Sequence, residues 1–180
     1  MKAKIFRGKK ITIRQLSKKD LRNVKKLRDF INSFVEEDAQ IDMNKKISPK
    51  EERKWLEAHL KSIKKHKTVF LVAEDNKTIV GTTGIDLGFW RHSHVGRFGI
   101  TIRKGYRGIG LGTYLIKEII KLAKKDLKPR PKVIRLSVLP TNKPAMELYK
   151  KAGFKKVAVI PKQMEFQGKL RDEIIMLLCL

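Results

Sequence analysis

The chain has 180 residues, 41% of them apolar, which is enough for one hydrophobic core and predicts a single domain over residues 1–180. Its longest apolar stretch, the seven residues from Ile174 to Leu180, is far shorter than the roughly 20 that a membrane-spanning helix needs. Cations also interrupt the apolar residues near the N-terminus, so we expect a soluble, cytoplasmic protein without a membrane partner. The lone Cys179 has no partners at metal-ligand spacing, and no metal site is predicted.

The first third of the chain predicts one strand and two helices. Ile11 and Ile13 alternate with polar residues from 10 to 15, as in a half-buried strand. Ser17 and Asp20 form an N-cap pattern before a helix. The apolar stripe of that helix is Leu21, Val24, Leu27, Ile31 and Phe34. A second helix begins at a capping box made by Ser48 and Glu51, and its inward residues are Trp55, Leu56, Leu60 and Ile63.

The remaining elements are mostly strands. Residues 68–89 predict a hairpin that turns at Asp75, Asn76 and Lys77. A strand over 94–102, a helix from 111 to about 125, a strand over 133–138 and a helix over 144–152 follow, with Gly153 as the helix cap. Two last strands turn at Gln167 and Gly168. The pattern predicts a mixed α/β sheet of about seven strands with about four helices on its faces.

The segment RKGYRGIGLG, residues 103–112, has four glycines in ten positions. A strand, a glycine-rich turn and a helix direct free backbone N–H groups and the positive helix end at an anion, usually a phosphate. The segment lacks the Lys and Ser or Thr of a nucleoside triphosphatase loop, and Thr113 stands where a dinucleotide loop has its last glycine. A phosphate-bearing cofactor is therefore the main hypothesis, and a simple turn is the other.

Two segments carry a resemblance to one family. RGIGLG, residues 107–112, satisfies the R/Q-x-x-G-x-G/A signature of acetyl-coenzyme A binding in the GNAT superfamily of N-acetyltransferases. NKPAMELYKKAGF, residues 142–154, is similar to the family's N-x-x-A-x-x-L-Y-x-x-x-G-F block. The C-terminal DEIIMLLCL also resembles the subgroup that acetylates ribosomal-protein N-termini and polyamines. The chain is thus identified as a member, which implies the mostly antiparallel GNAT sheet and an acyltransferase that uses acetyl-coenzyme A.

The resemblance also implies site residues. The amides from Arg107 to Thr113 are expected to hold the cofactor pyrophosphate, and the pantetheine arm is expected to pair with Ile100–Ile102 where two strands splay apart. The expected cofactor-binding residues are Ile100, Thr101, Ile102, Arg107, Gly108, Ile109, Gly110, Leu111, Gly112, Thr113 and Asn142. Asn142 also suits a helix N-cap. Tyr149 is the candidate acid for the leaving thiolate, with aromatic packing beside Leu148 as the alternative.

The acceptor side is less defined. Glu36, Glu37, Asp38 and Asp42 are four acids in a basic chain, and the resemblance places them at the acceptor cleft, where they would bind an ammonium group. A solvated acidic loop is the other interpretation. Glu74, Asp86, His92 and His94 are candidates for a general base, and ordered water is a further one.

The charge extends the list of partners. There are 43 Lys and Arg against 18 Asp and Glu, a formal charge of +25, which attracts polyanions if the cations share a face. Because such a protein repels a free polyamine, we expect the acceptor to be a protein amine, N-terminal or lysine. A ribosomal protein, with RNA contact through the basic surface, is the candidate partner. A polyamine or small amine is the alternative acceptor, and a basic nucleic-acid-binding protein is the non-enzymatic alternative. Monomer and homodimer both stay open.

Overall fold

The computed structural model describes residues 2–180, which form eight strands and four α-helices. The strands are β1 (Lys2–Phe6), β2 (Lys9–Gln15), β3 (Thr68–Asp75), β4 (Thr78–Leu87), β5 (Val95–Ile102), β6 (Val133–Val138), β7 (Lys155–Phe166) and β8 (Lys169–Cys179). The helices are α1 (Val24–Glu36), α2 (Pro49–Lys64), α3 (Leu111–Asp126) and α4 (Lys143–Lys151). None of these helices combines the length and the apolar content that a bilayer crossing requires.

All strands belong to one sheet in the order β1-β2-β3-β4-β5-β6-β8-β7, in which only β5 and β6 run parallel. The prediction of a mixed, mostly antiparallel sheet with four helices is confirmed. The strand that the sequence pattern missed is β1, an edge strand in which Phe6 alone is buried. Because β1 presents almost no apolar face, it leaves little alternation for the sequence to show.

The helices divide between the two faces of the sheet. On one face α3 packs its buried residues, among them Leu115 and Ile119, against the strands. On the other face α1 and α2 enclose a second core that includes Phe30, Phe34 and Leu56. The helix predicted after Ser17 is split, because a 3-10 turn over Lys18–Asn23 precedes α1.

The sheet opens at its centre, between β5 and β6. These strands pair only from Val95 to Arg97 and from Val133 to Arg135. Beyond that point β6 pairs with β8 on one side, and β5 pairs with β4 on the other. The remaining edges of β5 and β6 therefore diverge and leave an opening through the sheet.

Candidate active site

A cleft of about 1490 Å³ runs through this opening. Its lining includes Gly108 and Asn142 from the α3 and α4 side and Trp55 from α2 on the opposite face. The cleft therefore has two halves, which we call the cofactor half, beside the glycine loop, and the acceptor half, beside α1 and α2.

The glycine loop lies at the N-terminus of α3. Gly108 and Gly110 have φ values of 73° and 90°, in the region that disfavours other residues, and Gly110 is the N-cap of the helix. In the part of the chain that the structure describes, the amides from Arg107 to Thr113 have no backbone acceptor. Unpaired N–H groups at the positive end of a 16-residue helix form a binding site for an anion.

Two further contacts shape this half of the cleft. The Arg107 Nε atom donates to the carbonyl oxygen of Ile102 at 2.7 Å, and its Nη2 atom donates to Glu37 at 3.0 Å. A Cβ atom on Gly112 would lie 2.9 Å from the Cδ2 atom of Leu148, so a larger residue there would require the Leu148 side chain to move. Arg107 is thus held beside the loop, where its charge adds to that of the helix end.

The residues of this half fit acetyl-coenzyme A. The loop amides suit the pyrophosphate, and Ile100–Ile102 pair with β4 on one side and leave their other backbone edge free, as a pantetheine arm requires. The expected cofactor residues all line the cleft except Ile109 and Leu111, whose side chains pack into the core. Asn142 caps α4 by accepting from the amide of Ala145 at 3.3 Å, and its contact with the cofactor stays a prediction.

Tyr149 lies at the boundary of the two halves. It is 8% exposed, packs edge to face against Phe98 and Phe154, and lines the cleft. Burial, with a smaller contribution from Asp42, raises the pKa of Tyr149 to about 12. The phenol is therefore protonated over the physiological range, as a proton donor must be, and the packing interpretation holds as well.

The floor of the acceptor half is bare backbone. Gly84 of β4 and Gly99 of β5 are opposite each other in the sheet, and both line the cleft. A Cβ atom on Gly99 would meet nothing within 4 Å. Gly99 therefore leaves room for reacting groups beside the free edge of β5, whereas the Phe70 ring fills the space where Gly84 would carry a Cβ atom.

Three side chains of α2 form a wall above this floor. Glu52, Trp55 and His59 are spaced i, i+3 and i+7, which places them on one helix face, and all three line the cleft. The His59 Nδ1 atom donates to the carbonyl of Trp55 at 3.1 Å, and its Nε2 atom lies 4.0 Å from Asp86. Glu52 is only 4% exposed, and burial raises its pKa to about 7.

Sequence reasoning missed Glu52 and His59 as site residues. The signal that the sequence offers is Glu52, a carboxylate that precedes Trp55 by three positions and Leu56 by four. It therefore falls within the apolar stripe of a predicted helix. A charged residue in such a stripe is unusual unless a partner or a function accounts for it.

The structure distributes the four predicted acids and the four base candidates unevenly. Glu37, Asp38 and Asp42 line the cleft, whereas Glu36 pairs with Lys46 at 2.8 Å outside its lining. Of the base candidates, Asp86 lines the cleft. Glu74 is bound by Arg14 at 2.9 Å, and His92 and His94 are exposed near the loop between β4 and β5, so these three lie elsewhere.

Comparison with known proteins identifies the class. Residues 30–154, well over half of the chain, match the model of the acetyltransferase (GNAT) family. The chain belongs to this family and is an acyltransferase. The family uses acetyl-coenzyme A, and solved relatives contain it, in agreement with the cofactor half described above.

Individual relatives differ in their acceptors. An N-alpha-acetyltransferase of Sulfurisphaera tokodaii is 32% identical over 110 residues, which cover 54% of this chain and 63% of the relative. An L-amino acid N-acetyltransferase of Escherichia coli is 36% identical over 85 residues, 47% of this chain and 51% of the relative. The chain thus matches less than two thirds of either relative's length, and together they indicate N-acetylation of amines.

The fold is shared over nearly the full chain. A GNAT acetyltransferase structure from Streptococcus pneumoniae superposes with a TM-score of 0.82 at 25% identity, covering 94% of this chain and 99% of the other. A ribosomal-protein-alanine N-acetyltransferase from Brucella melitensis gives 0.79 at 22% identity, covering 94% and 99%. The second likeness concerns the fold alone.

Proposed function

We propose that the acceptor is a primary amine of a protein, an N-terminal α-amine or a lysine. The observation that carries this proposal is the charge of the cleft, which is acidic within a chain of charge +25. The acids in its lining are Glu37, Asp38, Asp42, Glu51, Glu52, Asp86 and Glu147, and the Lys and Arg residues are Arg107 and Lys151. Such a lining attracts an ammonium group in spite of the repulsion from the rest of the surface.

The same lining disfavours a free amino acid. Its carboxylate would enter the acceptor half beside its amine and would need a cation there. Arg107 is bound to Glu37 and Ile102 in the cofactor half, and Lys151 lies on α4. A peptide N-terminus presents an amine without an α-carboxylate. It therefore brings no negative charge into the acidic acceptor half beside its amine.

The shape of the cleft agrees with a chain-like acceptor. A second groove of about 600 Å³ shares Asp38, Asp42 and Phe166 with the cleft and continues between the α1–α2 loop and the β7–β8 hairpin. Glu165 and Glu173 extend the acidic lining along this groove, which also includes Arg135. Residues that follow an acceptor amine would have space there.

A polyamine is the second candidate, because its several ammonium groups also suit an acidic groove. The two candidates are separated by comparing kcat/KM for a peptide with a free N-terminus, an N-blocked peptide with one lysine, spermidine, and a free amino acid. We expect the highest value with one of the peptides. A higher value with spermidine would replace the proposal by the polyamine alternative, and a preference for the free amino acid would refute the charge argument.

We also propose that the basic surface contacts ribosomal RNA when the acceptor is a ribosomal protein. The loop between β4 and β5 supports this, since Phe89 and Trp90 are 74% and 93% exposed and Arg91 follows them. An exposed aromatic beside cations suits stacking on unpaired bases. Sedimentation with ribosomes should show binding at low salt that weakens at high salt and in Trp90→Ala, and no binding at low salt would remove this contact.

A further inference from the structure

Glu52 differs from the other carboxylates of the cleft. The described acids around it are exposed or have partners: Glu37 binds Arg107, Asp38 accepts from Gln167, and Asp86 accepts from Thr68. Glu52 is buried, and its carboxylate has no hydrogen-bond or ion-pair partner among residues 2–180, although its backbone amide donates to the carbonyl of Ser48. Because its oxygens are not sealed inside the protein and the residue lines the cleft, they open into the acceptor half.

Packing does not account for a carboxylate at this position. Its neighbours on the helix, Trp55 and Leu56, contribute to the apolar core between the sheet and α1 and α2, and an apolar side chain would fit that stripe. An ionised carboxyl in such surroundings is unfavourable unless a charged partner or a ligand compensates it. The acceptor ammonium is the group that enters this half of the cleft under the proposed function.

We propose that Glu52 is the general base of the reaction, a role that rests on the proposed amine acceptor. The ammonium transfers one N–H proton to the Glu52 carboxylate, which becomes a carboxylic acid and later returns the proton to solvent. The free lone pair then forms the C–N bond to the acetyl carbon while the C–S bond breaks. The nitrogen loses its second surplus proton, and the leaving thiolate takes up one, so the reaction releases one proton overall.

The raised pKa of Glu52 agrees with the role that the geometry indicates. Burial raises its pKa to about 7, which is close to that of a peptide α-amine, roughly 8, and near the optimum for a general base at neutral pH. The ionisable groups that share the cleft with it are Glu37, Asp38, Asp42, Glu51, His59, Asp86, Arg107, Glu147, Tyr149 and Lys151. Of the charged groups on the 3-10 turn and β3, which also pack against α2, Asp20 and Glu74 are both bound by Arg14.

The other acids and bases near this wall are less suited to this role. Asp86 already accepts a hydrogen bond from Thr68 and lies 4.0 Å from the His59 Nε2 atom. His59 is tied through Nδ1 to its own helix backbone. Both are therefore positioned as neighbours of the acceptor, whereas Glu52 keeps its full accepting capacity.

The test is the pH dependence of kcat/KM for the whole protein with two peptide acceptors whose N-terminal amines differ in pKa. The variants are Glu52→Gln, Glu52→Asp and, as the matched control on the exposed side of α2, Glu57→Gln. Wild type should show a rise through about pH 7 that stays at the same pH for both acceptors, since a rise caused by the acceptor amine would move with it. E52Q should lose that rise and about 100-fold in kcat/KM, with acetyl-coenzyme A affinity within about twofold of E57Q, as expected for a residue outside the cofactor half.

The outcomes separate the two proposals. If wild type is active and E52Q keeps both the rise of kcat/KM with pH and its value within about threefold, the role of Glu52 is overturned. The acceptor proposal then still stands. A wild type that acetylates no amine overturns the proposed function itself. If E52Q does not fold, E52D decides: a reduced rate with a displaced rise supports the role, and a profile equal to wild type overturns it.

Discussion

The two halves of the cleft are built from different materials. The cofactor half consists largely of backbone: unpaired amides of the glycine loop, the N-terminus of α3 and the free edge of β5. The acceptor half has a floor of strand backbone, but it depends mainly on side chains from α1, α2, the loop between them and β4, which are remote in the chain. A backbone site is specified by a short local motif, whereas a side-chain site requires that separate elements be assembled first.

This difference sets the chemistry that each half supports. Backbone donors and a helix dipole bind phosphate in one fixed geometry and leave little room for variation. Side chains on separate elements can change one at a time, so the acceptor half can be altered while the cofactor half stays the same. The relatives that acetylate α-amines and amino acids within one family agree with this division.

The largest effect is expected from the cofactor half. Gly110→Val places a β-branched residue at a φ of 90° and a side chain where the loop amides meet an anion. We expect acetyl-coenzyme A affinity to fall by about 100-fold or more, because both the loop conformation and the access of phosphate are lost. Isothermal titration in moderate salt measures the affinity, with desulfo and dephospho coenzyme A beside it.

A matched control separates strain from binding. Gly8 has a φ of 81° in the turn between β1 and β2, and a Cβ atom there meets nothing within 4 Å. Gly8→Val therefore introduces similar backbone strain away from the cleft. An equal loss of affinity in both variants would mean that the glycine loop does not bind the cofactor, as would wild-type binding that disappears with salt.

The next largest effect is expected from Tyr149, at the boundary between the halves. Tyr149→Phe removes the hydroxyl and keeps the ring that packs against Phe98 and Phe154. If the phenol protonates the leaving thiolate, kcat should fall by about 100-fold with little change in acetyl-coenzyme A affinity. Tyr114→Phe, at a tyrosine that packs against Phe6, is the control. Unchanged turnover in Y149F would leave Tyr149 with the packing role alone.

Glu52 of the acceptor half should also affect the free energy of unfolding. The pKa of Glu52 is about 7 in the folded protein against an ordinary value of 4.5, so the folded state holds the proton more tightly than the unfolded state. Folding stability contributed by this group therefore decreases as pH rises from about 4.5 to about 7, and the loss is complete above that range. The free energy of unfolding of E52Q relative to wild type should rise by up to roughly 3 kcal/mol between pH 4 and pH 8.

Denaturant unfolding at the two pH values measures this difference. Glu57→Gln removes the same charge from an exposed position on α2 and isolates the contribution of burial. If the free energies of unfolding of E52Q and wild type differ by the same amount at both pH values, Glu52 is solvated in the folded protein. Such a result would also remove the physical basis for its elevated pKa.

The contrast between the halves explains what the sequence could predict. The capping box of Ser48 and Glu51 and the Asn76–Lys77 turn form as the local patterns indicate, because neighbours in the chain determine them. The glycine loop lies at the N-terminus of α3 as predicted for the same reason. Glu52 and His59 could not be assigned, since their role depends on β4 and β5 lying beneath α2. The sequence did not reveal strand β1, because this edge strand buries too little apolar surface to leave a pattern.

The smallest effect should come from the acidic loop. Asp42 lines both the cleft and the second groove, whereas Glu36 pairs with Lys46 outside the cleft lining. Asp42→Asn should raise KM for a peptide acceptor severalfold with kcat nearly unchanged, because an exposed carboxylate contributes at most about 1 kcal/mol to binding an ammonium. Glu36→Gln removes the same charge from the same acidic stretch and should raise KM less. Equal effects of the two substitutions, measured at two salt concentrations, would show that the stretch acts through its overall field and that Glu36 belongs to the acceptor site as the sequence predicts.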